Sequence, residues 1–136
     1  MLDFKFNWDN RISVGINEID EQHKELFRIG RDLEQLILTR TGQISEQEVL
    51  KYLCEVREYI TYHFHTEEAV IEQINKEALK EHKALHDDLI EKINKINCIK
   101  LVEDQQEGIK YLNIILQEWV LNHILIEDMK VMKGFN

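Results

Sequence analysis

Proline is absent from the 136-residue chain and glycine occurs only five times, so little in it breaks a helix. Long helices are the natural expectation. Positive charge is also scarce: 17 Lys and Arg stand against 26 Asp and Glu, a net charge of -9. That balance, without a basic patch, argues against a nucleic-acid surface or an anionic membrane. No uninterrupted apolar run reaches the roughly 18 residues of a membrane span, and Met1 to Phe6 lacks the charged-then-apolar order of a leader. Cys54 and Cys98 have no CxxC spacing and read as reduced thiols. These absences point to a cytoplasmic chain with no membrane insertion. What is present, 43% apolar and 32% charged residues, suits a globular fold long enough for one domain with a reasonable core.

Residues 1–17 read as an arm carrying Phe4, Phe6, Trp8, Ile12, Val14 and Ile16, with Gly15 as a turn point. The arm is too apolar to stand in solvent and is expected to pack along the domain. Helical spacing then places Ile19, Leu26, Phe27, Leu33, Leu36 and Ile37 on one face of a first helix, about 18–40, with Asn17 as its cap and Thr39 to Gly42 as its end. Ser45 to Glu48 is a capping box opening a second helix, about 45–75. Its stripe is Val49, Leu53, Val56, Ile60, His63, Glu67, Val70 and Ile74, with two polar residues inside a core-facing seam. A third helix, about 76–97, repeats this with Leu79, His82, His86, Leu89, Ile93 and Ile96. After a connection over residues 97–103, a fourth helix, about 104–130, presents Ile109, Leu112, Leu116, Trp119, His123 and Ile126. The expected fold is all-α: an up-down-up-down four-helix bundle with an N-terminal arm, one domain over residues 1–136.

Such a topology gathers the start of the first helix, the end of the second, the start of the third and the end of the fourth at one end of the bundle. Five of the six histidines (His23, His63, His82, His86 and His123) fall there, on apolar seams. His82 and His86 are four apart, about 40° round a helix, so both imidazoles can face one ion. His65 lies about 200° from His63 and faces outward. Five converging imidazoles without a metal would be a costly polar core. Glu67, four after His63, supplies a carboxylate on the same seam, whereas Glu68 turns away and reads as a solvated charge. On the fourth helix ideal spacing favours Glu127, four after His123, over Asp128, which is five after and about 140° round. So many nitrogens with one or two carboxylates exceed what a four-coordinate zinc needs and suit two ions bridged by carboxylates. Iron fits better than copper or zinc, and manganese is an alternative.

Taken together, the residues resemble the hemerythrin family. The resemblance rests on Trp8 and Val14-Gly15-Ile16 in the arm, Ile19-Asp20-Glu21-Gln22-His23, His63-Phe64-His65-Thr66-Glu67-Glu68, His82 to His86, and Trp119 to Asp128. It implies a bundle holding two iron ions (Fe2+/Fe3+) with a bridging hydroxide or oxide. Carried over by position, His82, His86 and His123 would bind one iron, His23 and His63 the other, and Glu67 and Asp128 would bridge both. The resemblance therefore selects Asp128 against the ideal-helix argument and requires a local distortion of the fourth helix. By that count one iron is coordinatively full and the other keeps an open position for dioxygen. The family's oxygen pocket maps onto Leu26, Phe64, Trp119, Val120 and Ile124. Three positions depart from its pattern: Val120 for a usual leucine, Ile12 where an aromatic is frequent, and Ile71 where methionine often follows the glutamate pair.

The implied function is reversible dioxygen binding, for storage, delivery or scavenging, and not enzymatic turnover. The alternatives are a di-iron sensor of oxygen or redox state, or a di-iron enzyme acting on peroxide or nitric oxide. A chain of 136 residues leaves no room for a sensor's output domain, and the nitrogen-rich ligand set contrasts with carboxylate-rich oxygen activators. The expected partners are dioxygen and an oxygen-consuming enzyme or a reductase, with the chain a monomer or weak oligomer.

Overall fold

A computed structural model describes residues 6–39 and 43–132, the side chains of Trp119 and Val120 excepted. Phe4 and the stretch from Arg40 to Gly42 therefore lie outside the described residues. Among the described residues every regular element is helical. Helix α1 (Asn17–Thr39) buries Ile19, Leu26, Phe27, Leu33 and Leu36 on the face that the sequence periodicity marks out. Asn17 is its first residue and not its cap: the Ile16 carbonyl already accepts from the Asp20 amide at 2.9 Å. Asp20 takes the tethering role instead. Its carboxylate accepts from the Val14 amide at 2.9 Å and from the Ser13 hydroxyl at 2.5 Å, at the helix end where backbone donors favour a negative charge. Gly15 stands between them at φ 79°, a left-handed turn that glycine adopts without a Cβ clash.

The arm packs as expected. Phe6 is 1% exposed and meets Phe27 edge to face at 6.1 Å, while its amide donates to Glu34 at 3.1 Å. Trp8 adds a second edge contact to Phe27 at 5.7 Å, and the Lys24 ammonium sits over its ring. Between them, Asp9 caps a short 3-10 turn, Asn10–Ile12.

Helix α2 (Glu46–Ile74) opens on the capping box: Ser45 Oγ accepts from the Glu48 amide at 3.1 Å while Glu48 reaches back to the Ser45 amide at 3.3 Å. Its buried seam follows the expected residues to Glu67 and then steps to Ile71, leaving Val70 and Ile74 half-buried. Asn75 ends it, and a 3-10 turn, Lys76–Ala78, reverses the chain into helix α3 (Leu79–Asn94). This helix is shorter than the expected 76–97. Residues 97–103, expected as a connection, instead hold a short helix α4 (Cys98–Glu103), because the Asn97 side chain caps it through the Lys100 amide at 3.2 Å and Leu101 is buried. Asp104 caps helix α5 (Gln105–Ile115) in the same way.

Beyond Ile115 the backbone continues as two π-helical segments, Leu116–Leu121 and His123–Asp128, before a last α-helical turn, α6 (Met129–Met132). The first residues of α1 and α3, the last residues of α2 and the second π segment meet at one end, so successive long helices run antiparallel. The apolar core is divided in two. A large cluster centred on Leu26, Leu53, Ile60, Phe64 and Leu112 fills the body of the bundle. A small one, Val14, Ile19, Ile71, Val131 and Met132, closes the end. A polar layer lies between them.

Candidate metal centre

Each helix places its polar residues one or two turns inside that end cluster. His23 follows Ile19 on α1, His63 and Glu67 precede Ile71 on α2, His82 and His86 follow Leu79 on α3, and His123 and Asp128 precede Val131. All seven are buried: His23, His63, Glu67, His86 and Asp128 at 0% exposure, His82 at 1% and His123 at 6%. His65 is exposed, as its position on α2 predicts.

The five imidazoles all turn Nε2 inward. His82 Nε2 lies 2.7 Å and His86 Nε2 3.0 Å from Glu67 Oε1, and His82 and His123 Nε2 lie 2.9 and 3.0 Å from Asp128 Oδ1. On the other side His63 Nε2 is 3.0 Å and His23 Nε2 3.4 Å from Glu67 Oε2, with His23 Nε2 3.1 Å from Asp128 Oδ2. The donors thus form two groups, one of Glu67, His82, His86, His123 and Asp128 and one of His23, His63, Glu67 and Asp128. Both carboxylates belong to both groups, with one oxygen facing each.

Close approach is not satisfaction here. Neither oxygen of Asp128 has a hydrogen-bond partner of acceptable direction, nor does His63 Nε2. The Nε2 atoms of His86 and His123 are aimed at the same space, 3.0 Å apart. Lone pairs that converge on common points and miss one another are the arrangement of ligands to a cation. The outer nitrogens agree: His86 donates from Nδ1 to Glu68 Oε2 at 2.8 Å and His63 from Nδ1 to Gln22 Oε1 at 2.8 Å, each leaving Nε2 as a lone pair toward the centre.

The fields are strong. Burial disfavours charge on His23, His82 and His123, yet the Asp128 and Glu67 carboxylates close to their Nε2 atoms outweigh it and raise each to about 9. Burial would likewise push both carboxyls up, and Glu67 adds to this at Asp128, but the surrounding imidazoles hold Glu67 well below the ordinary carboxylate range and lower Asp128 too.

A sequence model described as the Hemerythrin HHE cation binding domain matches residues 14–133. The chain belongs to the hemerythrin family. It is 28% identical over 123 residues to a bacteriohemerythrin of Clostridium acetobutylicum, covering 90% of this chain and 95% of that protein. It is 31% identical over 126 residues to a bacteriohemerythrin of Campylobacter jejuni, covering 91% and 90%. The myohemerythrin of Theromyzon tessulatum is 29% identical over 125 residues, covering 92% and 89%. No solved structure matches the chain.

For a hemerythrin-family chain the position of Asp128 is the point on which ideal-helix spacing fails. The segment His123–Asp128 is π-helical, and an i→i+5 ladder sets residues five apart above one another. Asp128 therefore shares the face of His123, while Glu127 is half-buried outside the cluster. The same phase change carries Ile126 off the seam to 61% exposure, against the α-helical expectation. Glu68 is the second correction. It is not a solvated charge: its side chain is 17% exposed and holds His86. Gln22 was not singled out by spacing, although Ile19, Gln22 and Leu26 follow one another at steps of three and four, the signature of a seam.

Of the expected pocket residues, Leu26, Phe64 and Ile124 are buried at 2%, 2% and 1%. Phe64 stacks flat on His86, centroids 3.7 Å apart and planes 3° apart. The side chains of Trp119 and Val120 lie outside the described part of the structure. Among the described residues no helix is long and apolar enough to cross a membrane.

Proposed function

We propose that the chain binds dioxygen reversibly at two iron ions, for storage, delivery or scavenging. The observation that supports this reading above the others is the split of each carboxylate: Glu67 and Asp128 both turn one oxygen to the three-imidazole group and the other to the two-imidazole group. On this reading His82, His86 and His123 would hold one iron, His23 and His63 the other, Glu67 and Asp128 would serve both, and a hydroxide or oxide would accompany the pair. The iron pair supplies a reversible exchange of two electrons with dioxygen.

The chain's own residues do the rest. With two imidazoles against three, the His23–His63 side has one fewer protein donor, so it would be the side left open to dioxygen. Gln22 and Glu68 fix the tautomers of His63 and His86. Leu26, Phe64 and Ile124 wall the site and keep water and stray protons from the bound ligand. The ligand set is rich in nitrogen where oxygen-activating enzymes of bundle type are rich in carboxylate, which supports a binder over an enzyme. The exposed free thiols Cys54 and Cys98 suit the reducing cytoplasm. We read residues 1–136 as one hemerythrin-like domain, a monomer or weak oligomer, served by a reductase or serving an oxygen-consuming enzyme.

The test is a cycle. The iron-loaded protein is reduced without air, exposed to air, then purged, with the visible spectrum recorded throughout. A ferric charge-transfer band that rises and falls over repeated cycles is expected. Irreversible conversion to a ferric form, or peroxide released at each turn, would overturn the reading in favour of sensing or catalysis.

A further inference from the structure

The two sides of the centre have unlike outer partners. On the three-imidazole side the Nδ1 proton of His86 goes to a carboxylate, Glu68, at 2.8 Å, while His82 Nδ1 has no hydrogen-bond partner. On the two-imidazole side the Nδ1 proton of His63 goes to a neutral amide oxygen, that of Gln22, also at 2.8 Å. His23 Nδ1 has no hydrogen-bond partner, so no carboxylate touches the outer nitrogen of either imidazole on this side.

Gln22 is held so that its oxygen faces His63. The residue is 7% exposed, its Nε2 donates to the Tyr62 hydroxyl at 3.4 Å, and the Tyr59 hydroxyl donates to its backbone oxygen at 3.1 Å. A reversed amide would set an N–H donor against the His63 N–H. The acceptor offered to His63 is therefore fixed in place and uncharged. A carboxylate accepting from Nδ1 pushes electron density into the ring and makes Nε2 a stronger donor, whereas an amide fixes the tautomer with a much weaker push.

We propose that Gln22 is a positioning residue that orients His63 while keeping the His23–His63 side electron-poor, so that an iron there favours the ferrous state more than its neighbour held by His82, His86 and His123. This rests on the two-iron reading above. It assigns opposite tuning roles to two residues of nearly the same shape, Gln22 and Glu68.

The experiment is a redox titration of the full iron-loaded chain, carrying either Gln22→Glu or Glu68→Gln, with iron content and circular dichroism checked first. Gln22→Glu is expected to stabilise the ferric form at one of the two reduction steps by about tenfold, a fall of about 59 mV for one electron. Glu68→Gln is expected to raise the other step by a similar amount. If both variants hold two irons and neither potential moves, or both move the same step, the proposal is overturned. Should Gln22→Glu not fold, Glu68→Gln decides alone: a raised potential supports the asymmetry, and an unmoved one removes it. Failure of oxygen cycling in the unmodified protein would remove the function proposed above while leaving these shifts to be seen. Normal cycling with unmoved potentials would remove this inference alone.

Discussion

Single residues in the polar layer are separated by what surrounds them more than by what they are. His63 and His65 are two apart on α2, yet one is fully buried with its Nε2 at the centre and the other is exposed. His63→Ala is expected to lose about one of two irons per chain, since its metal keeps a single imidazole, whereas His65→Ala should bind roughly the full pair. Metal analysis of the two purified variants checks this, and equal loss in both would refute the assignment. Glu68 carries the complementary lesson. Read by spacing it points away from Glu67 and into solvent, but α3 lies against that face and brings His86 Nδ1 to it. Its partner belongs to another helix, so the spacing within α2 carried no trace of it.

At the scale of the element, the π-helical stretch decides which carboxylate faces the buried histidines. An α-helical continuation would set Glu127 over His123 and turn Asp128 away, whereas the observed i→i+5 turn buries Asp128 beside His123 and leaves Glu127 half-buried outside the cluster. Asp128→Asn is therefore expected to lower iron affinity roughly 10–100-fold, and Glu127→Gln to leave it within about twofold, as read by competition with a chelator. The opposite ranking would mean that the helix is regular in solution. The arm is a second such element. Gly30 lies under the Phe6 ring, where an added Cβ would collide, so Gly30→Ala is expected to displace the arm and cost about 1–3 kcal/mol of stability, measured by urea unfolding.

For the whole molecule, the polar layer couples folding to pH. With the metal removed by chelation, His23, His82 and His123 have folded values raised to about 9 from 6.5. Their contribution to stability is then complete below 6.5 and is lost as the pH rises through 9. Glu67 and Asp128 are depressed, so theirs is present above the ordinary carboxylate range and is lost as the pH falls through their folded values. The melting temperature of the chelated protein should therefore decline between pH 6.5 and 9, while the iron-loaded protein should not, because metal and not a proton then occupies Nε2. Parallel slopes in the two samples would count against the cluster as a metal centre.

Much of this was legible in the chain. The absence of proline, the helical periods and the capping box at Ser45 gave the long helices, and histidines recurring on their buried faces marked the layer, because side-chain direction within a helix follows from spacing alone. What the tertiary structure decided was where that rule stops holding or is not enough: the π turn that moves Asp128 in and Ile126 out, the short α4 built on Asn97 and Leu101, and the partners Gln22 and Glu68. The roles of Gln22 and Glu68 depend on contacts between helices far apart in sequence, which spacing within one helix does not encode.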